Sequence, residues 1–170
     1  MEAPQAYTEG DWIVHAHYGI GQIKCVEVKG ISGEKVSYFR IEATDSTFWM
    51  PVDHMDGEMS RPVSSQQEFQ KALTVLKNPP QEMSSSHIER QSRIKRVRLE
   101  NSPQDIARLI RDLRARQRDK GILSQNERSA FTSLKQQLVE EWTIVSGTQP
   151  EKIALQVDKL LEKQNSTGGP

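Results

Sequence analysis

Residues 10–23, GDWIVHAHYGIGQI, bring a His-x-His pair, a Gly-x-Gly pair and a tryptophan into one short stretch. Two readings compete. In one, His15 and His17 share a strand face and open a metal site. In the other, the stretch is two β-strands joined at a glycine turn. A metal would need further ligands from Cys25, His54 or an acid, and no helical His-x-x-x-His or Cys-x-x-Cys spacing accompanies the pair. Gly19 and Gly21 lack the third glycine and following helix of a phosphate-cradling loop. A turn or bulge, where glycine tolerates positive φ, accounts for them better. The stretch reads as strand, turn, strand, with WIVHAHY as the first strand and no metal or cofactor expected.

The same period continues outward. IGQIKCVEV, KVSYFRIEA and STFWMPV are short runs of apolar, β-branched and aromatic residues bounded by Gly, Asp and Ser. KGISGEK, with two glycines between strand-like runs, is a hairpin turn, and TDS is a second turn. Four or five antiparallel strands in about 50 residues predict a small SH3- or Tudor-like barrel. Trp12, Phe39 and Ile41 are its expected core. Phe48 and Trp49 adjoin on one strand and must face opposite sides, so one is core and the other is an exposed aromatic.

After Pro62 the period becomes helical. Ser65-x-x-Glu68, Ser86-x-x-Glu89, Ser124-x-x-Glu127 and Thr148-x-x-Glu151 read as capping boxes, and Ser102-Pro103 as a fifth helix start. Behind them run apolar stripes: Phe69, Leu73 and Leu76; Ile106, Leu109, Ile110 and Leu113; Leu134, Leu138 and Trp142; Ile153, Val157, Leu160 and Leu161. Pro79-Pro80 breaks the first helix from the rest. The expected fold class is thus α+β in two domains. A small antiparallel SH3/Tudor-like β-barrel spans 8–62, an all-α bundle of about five helices spans 63–163, and a disordered tail spans 164–170.

Composition excludes some functions. One cysteine, Cys25, permits neither an internal disulfide nor a Cys-rich zinc cage. The opening MEAPQAYTEGD lacks a basic region followed by an apolar run, so no signal peptide is expected. No apolar run approaches a membrane span of about 18 residues. These features fit a cytoplasmic protein with no membrane partner. No nucleophile–base arrangement stands out either, and an enzyme is not expected. The net charge of zero conceals an asymmetry: residues 1–80 carry 7 Lys/Arg against 11 Asp/Glu, 81–121 carry 11 against 6, and 122–170 carry 5 against 6.

The basic middle is concentrated in Arg90, Arg93, Lys95, Arg96 and Arg98, a run without an acid. Arg108, Arg111, Arg114, Arg116, Arg118 and Lys120 follow on the next helix. Such side chains give salt-sensitive binding to DNA by releasing counterions from phosphates. The alternative is a solvated helix face, with Arg108, Arg111 and Asp112 in ion pairs. Both readings stay open on residues alone.

Together with VEVKGISGEKVSYFRI and WMPVD, GDWIVHAHYGIGQI resembles the start of CarD-family transcription regulators. The same module occurs as the RNA-polymerase-interacting domain of bacterial transcription-repair coupling factors. IARLIRDLRARQRDKGILSQNERSAF is similar to the helical half of CarD, so the resemblance spans about residues 8–162. A coupling factor continues into helicase motifs, which do not follow here, so the stand-alone type is expected. The resemblance implies a non-enzymatic regulator whose β module docks on the bacterial RNA polymerase β subunit, largely by a sheet edge. Its helical domain would contact promoter DNA at the upstream edge of the bubble and stabilise the open complex.

Residue by residue, the resemblance puts Lys29, Gly30 and Ile31 at the polymerase-contacting edge. It sets Trp49 where relatives carry an arginine, which would change that contact from charge to stacking or burial. Ile88 stands where relatives carry a tryptophan wedge, with His87 as the neighbouring alternative. Arg90 and Arg93 fall on basic positions, and Lys95 and Arg96 complete the implied DNA-binding set. A monomer on polymerase, in the nucleoid-associated cytoplasm, is the implied state. A polymerase-docking adaptor and an architectural DNA-binding protein remain the alternatives.

Overall fold

The computed structural model describes residues 7–55 and 59–163, apart from the side chain of Ile31. The tail expected over 164–170 lies outside the described residues. The architecture is α+β, and contacts divide the chain into two compact units between Val63 and Ser64.

The first unit is a Tudor-like antiparallel sheet of five strands: β1 (Trp12–His15), β2 (Gly19–Ile31), β3 (Glu34–Ala43), β4 (Thr47–Pro51) and β5 (Ser60–Pro62). Their order is β4-β3-β2-β1-β5. A two-residue turn joins β2 to β3, pairing Ile31 with Glu34. Its central residues, Ser32 (φ 54°) and Gly33 (φ 89°), are both left-handed, as the tightest hairpin turns require. A bulge between Ile23 and Cys25 shifts the β2–β3 register. Ile13, Ile23, Phe39, Ile41, Phe48 and Met55 form the core. Trp12 does not join it, contrary to the sequence expectation. It is only half-buried, and the adjacent Ile13, on the opposite face, fills the centre instead.

The glycines of the opening stretch now have distinct reasons. Gly19 has φ 77°, beyond the comfortable range of other residues, at the point where the turn enters β2. Gly21 pairs with Ala43, and a Cβ there would stand 2.6 Å from Ile41 Cγ2. One glycine serves the turn and the other serves close packing.

The second unit holds α1 (Gln66–Lys77), α2 (His87–Glu100), α3 (Pro103–Lys120), α4 (Gln125–Ser146) and α5 (Pro150–Lys163). Ser65 and Ser124 form complete capping boxes with Glu68 and Glu127. Ser86 caps α2 through its hydroxyl, but the Glu89 carboxylate turns to Ser84 rather than back to the cap. Ser102 caps α3, with Pro103 in its first turn. The expected Thr148 box does not form, because α5 begins at Pro150 and its first turn bonds to the carbonyl of Gln149. The apolar stripes meet in one core that includes Phe69, Leu76, Leu109, Leu113, Leu134, Trp142 and Val157. No helix among the described residues is long and apolar enough to cross a membrane.

Candidate interaction surfaces

Residues directly opposite one another in an antiparallel ladder share a face of the sheet. Cys25 pairs with Arg40, Glu27 with Tyr38, and Arg40 with Trp49, so these residues lie opposite the Ile23–Ile41–Phe48 core face. On that outer face Lys29 Nζ stands 3.9 Å from the Trp49 ring centroid and 5.9 Å from that of Tyr38. Both distances are within cation–π range. Trp49 Nε1 donates to Glu27 Oε2 at 2.9 Å. Arg40 continues the chain of contacts, 4.0 Å from Glu27 and 3.1 Å from Glu42. Phe48 is core and Trp49 is 41 % exposed. The aromatic therefore presents its surface from a fixed orientation, gripped by Lys29 on its ring and Glu27 on its N–H.

The same hairpin offers backbone. β2 pairs with β1 only over Gly19–Gln22, while it pairs with β3 as far as Ile31. From Lys24 onward its other edge has no strand beside it among the described residues. Val26 and Val28 are exposed along that stretch, and Gly30 has no atom within 4 Å of where a Cβ would lie. Lys29 and Trp49 thus come together on one face, with Gly30 and the backbone of Ile31 at the hairpin's end.

The histidine pair does not share a strand face. β1 stops at His15, and residues 16–18 form the turn. His15 Nδ1 accepts the backbone N–H groups of His17 (3.0 Å) and Tyr18 (3.2 Å). Its ring packs against Tyr18 and Phe48, with centroids 4.9 and 5.4 Å away. Burial, and secondarily the neighbouring His17, lower the His15 pKa, which suits a nitrogen that must remain an acceptor. Among the described residues no group of His, Cys, Asp and Glu is arranged to hold a metal.

In the helical unit the basic run divides. Arg90 is only 7 % exposed. Its Nε donates to Glu127 Oε1 at 2.6 Å, and its Nη1 donates to the carbonyls of Ser84 and Ser85 at 2.9 Å each. Arg93 Nη2 donates to Asp112 Oδ2 at 2.7 Å. Asp112 also accepts from Arg111 Nε and from the backbone N–H of Gln81, both at 2.9 Å. Arg116 Nε lies 3.4 Å from Glu127. Two buried carboxylates, Asp112 and Glu127, thus absorb four arginines. Burial alone would raise the Glu127 pKa, but hydrogen bonds from Ser124 and Arg90 prevail and lower it. This argues against the assignment of Arg90 to a DNA surface: its guanidinium is enclosed, with Nε and Nη1 committed to protein oxygens. Arg93 is compromised in the same way, at 24 % side-chain exposure.

Lys95 and Arg96 are exposed and have no carboxylate partner among the described residues. At 100° per residue, Ile88, Ser92, Lys95 and Leu99 fall in one narrow stripe of α2, with Arg96 at its margin. Ile88 is 77 % exposed and Leu99 is also exposed. Ser92 and Leu99 escaped the sequence reading, which followed charge. The available signal was Ile88 and Leu99 eleven residues apart, three helical turns on the face opposite Ile94 and Val97.

Compared with protein-family models, residues 7–63 match the CarD-like/TRCF RID domain and residues 71–158 match the CarD C-terminal domain. A search of curated proteins found no match.

Proposed function

The chain belongs to the CarD family of RNA-polymerase-interacting transcription regulators, and from that premise we propose that it holds polymerase and promoter DNA together without catalysing a reaction. The division of labour follows the two domains, 8–62 for polymerase and 63–163 for DNA. The β module docks on the polymerase β subunit through the open edge of β2 and the Lys29–Trp49 face, with Gly30 and Ile31 at the contact's end. Backbone supplies strand addition, and the stacked pair supplies side-chain recognition. The helical domain meets the upstream edge of the bubble with α2, and one bound copy acts in the cytoplasm.

The observation that carries the DNA reading is the exposed α2 stripe. Lys95 and Arg96 can neutralise phosphates while Ile88 enters the minor groove as an apolar wedge, a role isoleucine can fill. Isoleucine has less stacking area than tryptophan and no N–H donor, so the clamp is weaker than one built on tryptophan. Tethering compensates, because docking on polymerase raises the local concentration of DNA.

The commitment of Arg90 and Arg93 to the interior gives weight to a second reading, a docking adaptor without DNA contact. One experiment separates the two: the lifetime of the open complex on a promoter with matched polymerase, with and without the protein. A longer lifetime that Ile88→Ala shortens supports the clamp. An unchanged lifetime with polymerase bound supports the adaptor. Lys29→Glu, which puts a carboxylate against Trp49 and beside Glu27, should weaken polymerase capture; normal capture would remove this face from the interface.

A further inference from the structure

The loop between α3 and α4 contains one residue with no structural task. Gly121 closes α3 in the left-handed conformation, with φ 76°. Leu123 is buried in the helical core, and Ser124 caps α4. Ile122, between them, is 76 % exposed, nearly as open as Ile88. Its neighbours pin the loop on both sides, so the side chain is held outward by a constrained backbone.

Cross-links place this isoleucine at the same end of the bundle as Ile88. Arg90 meets Glu127, Gln91 meets Asn126, Arg98 meets Ser133, and Asn101 meets Gln137. From Arg90 and Gln91 to Arg98 and Asn101 the partners climb from 126–127 through 133 to 137, so α2 and α4 run in the same direction with their N-termini side by side. Ile88 precedes Gln91 by three residues, about 4.5 Å of helix rise. Ile122 precedes the α4 cap by two. The two large apolar side chains most exposed in the described molecule therefore crown one end of the helical unit.

The surrounding charge favours a polyanion. Lys120 and Arg128 flank the loop and are exposed, and Lys95 and Arg96 continue along α2. The positive dipole ends of α2 and α4 lie there, set against the negative end of α3 at Gly121. The exposed acids nearby are Asp119, between Arg118 and Lys120 in the sequence, and Glu82, which lines one cavity with Asp119, Arg116 and Lys120; the Glu89 carboxylate is turned to Ser84.

We propose that Ile122 is a second apolar wedge, entering the minor groove of the promoter beside Ile88, so that two isoleucines share the work at the bubble edge. The proposal deepens the DNA-clamp reading and rests on it. Lys120 and Arg128 hold the flanking phosphates while the side chain excludes water from the opened step. A pair of aliphatic wedges recovers apolar contact that one isoleucine cannot supply.

The test uses the full chain with polymerase and promoter DNA. Open-complex lifetime is measured for wild type, Ile122→Ala, Ile88→Ala and the double variant, beside a photo-crosslinking amino acid placed at position 122 and, as control, at exposed position 155. Ile122→Ala should shorten the lifetime roughly 3- to 10-fold while leaving the unfolding midpoint unchanged, the scale of a few methyl groups moved into contact. Position 122, unlike position 155, should crosslink to DNA near the upstream bubble edge. A wild-type lifetime with Ile122→Ala, or a crosslink from position 122 only to polymerase or to a second copy of this chain, overturns the proposal. If wild type does not lengthen the lifetime at all, the clamp reading fails separately. The crosslink then decides whether Ile122 meets DNA: a DNA adduct sustains that contact, and its absence removes it.

Discussion

The two units use charge in opposite ways. On the β sheet, Lys29, Glu27, Arg40 and Glu42 lie on an open face and pair with one another or with the Trp49 ring while still meeting water. In the helical unit, Arg90, Arg93, Arg111 and Arg116 turn inward onto Asp112 and Glu127. The lesson is that a count of basic residues does not measure a nucleic-acid surface. An exposed pair contributes little, about 0–1 kcal/mol, because water and salt screen it. Removing one member of a buried pair leaves an uncompensated charge.

The largest effect should come from breaking the helical network. Glu127→Ala strands Arg90, loses a partner of Arg116 and opens the Ser124 capping box, and should destabilise by about 3–5 kcal/mol. Arg40→Ala, on the sheet, should cost less than about 1 kcal/mol. Denaturant unfolding of both variants checks this, and equal losses would erase the contrast between the units. The Glu127 term also carries a pH signature. Its folded pKa lies below the unfolded value, so its stabilisation is present above the unfolded pKa and is lost as pH falls through the folded one.

The next effect concerns packing rather than charge. Gly21→Ala sets a methyl 2.6 Å from Ile41 Cγ2 and 3.2 Å from the Glu42 carbonyl. The Ile41 side chain must move and the Glu42 carbonyl must give slightly to admit it, at a cost of about 1–3 kcal/mol. Gly30→Ala, with open space around it, is the matched control and should lie within about 0.5 kcal/mol of wild type. Thermal unfolding that treats the two alike would show that the sheet has slack at Gly21.

A third comparison stays on one helix. Lys95→Glu with Arg96→Glu should leave stability unchanged within about 0.5 kcal/mol per site and lower the salt slope of DNA engagement by about 2. Arg90→Glu with Arg93→Glu should instead place carboxylates against Glu127 and Asp112 and unfold the helical unit. Loss of DNA engagement in that second variant would therefore say nothing about contact. Circular dichroism beside a salt titration separates the cases.

Much of this was legible in the sequence, for local reasons. The strand period, the hairpin turn and the serine caps are set within a few residues, so the β-to-helix order and four of five helix starts could be read directly. Thr148 misled because Pro150 sits at the first helical position of α5 and shifts the start past the expected box. Arg90 misled for a different reason. Nothing within its own helix reveals that Glu127, thirty-seven residues onward, faces it. Its spacing did contain a hint, since it is one turn before Ile94 and two before Val97 on the inward face. The Lys29–Trp49 contact depends on register across three strands, which strand propensity does not specify.

The smallest expected effect returns to the histidine pair. Protonation of His15 would turn its Nδ1 from an acceptor of the His17 and Tyr18 N–H groups into a donor facing them. The folded pKa is lowered by burial and then by His17, so folding favours the neutral ring. The sign follows: the stabilisation is present above the unfolded pKa of about 6.5 and is lost as pH falls through the folded value. Protection of the β1–β2 amides against hydrogen exchange should therefore drop on acidification, after correction for the intrinsic exchange rate. His17→Ala should shift that loss to higher pH, because removing the neighbouring charge takes away one of the two causes that lower the His15 pKa. His15→Asn keeps a short acceptor that does not titrate, and should flatten the dependence while holding the turn. If protection in His15→Asn still follows the wild-type pH profile, the titrating group lies elsewhere, and His15 shapes the turn without sensing protons.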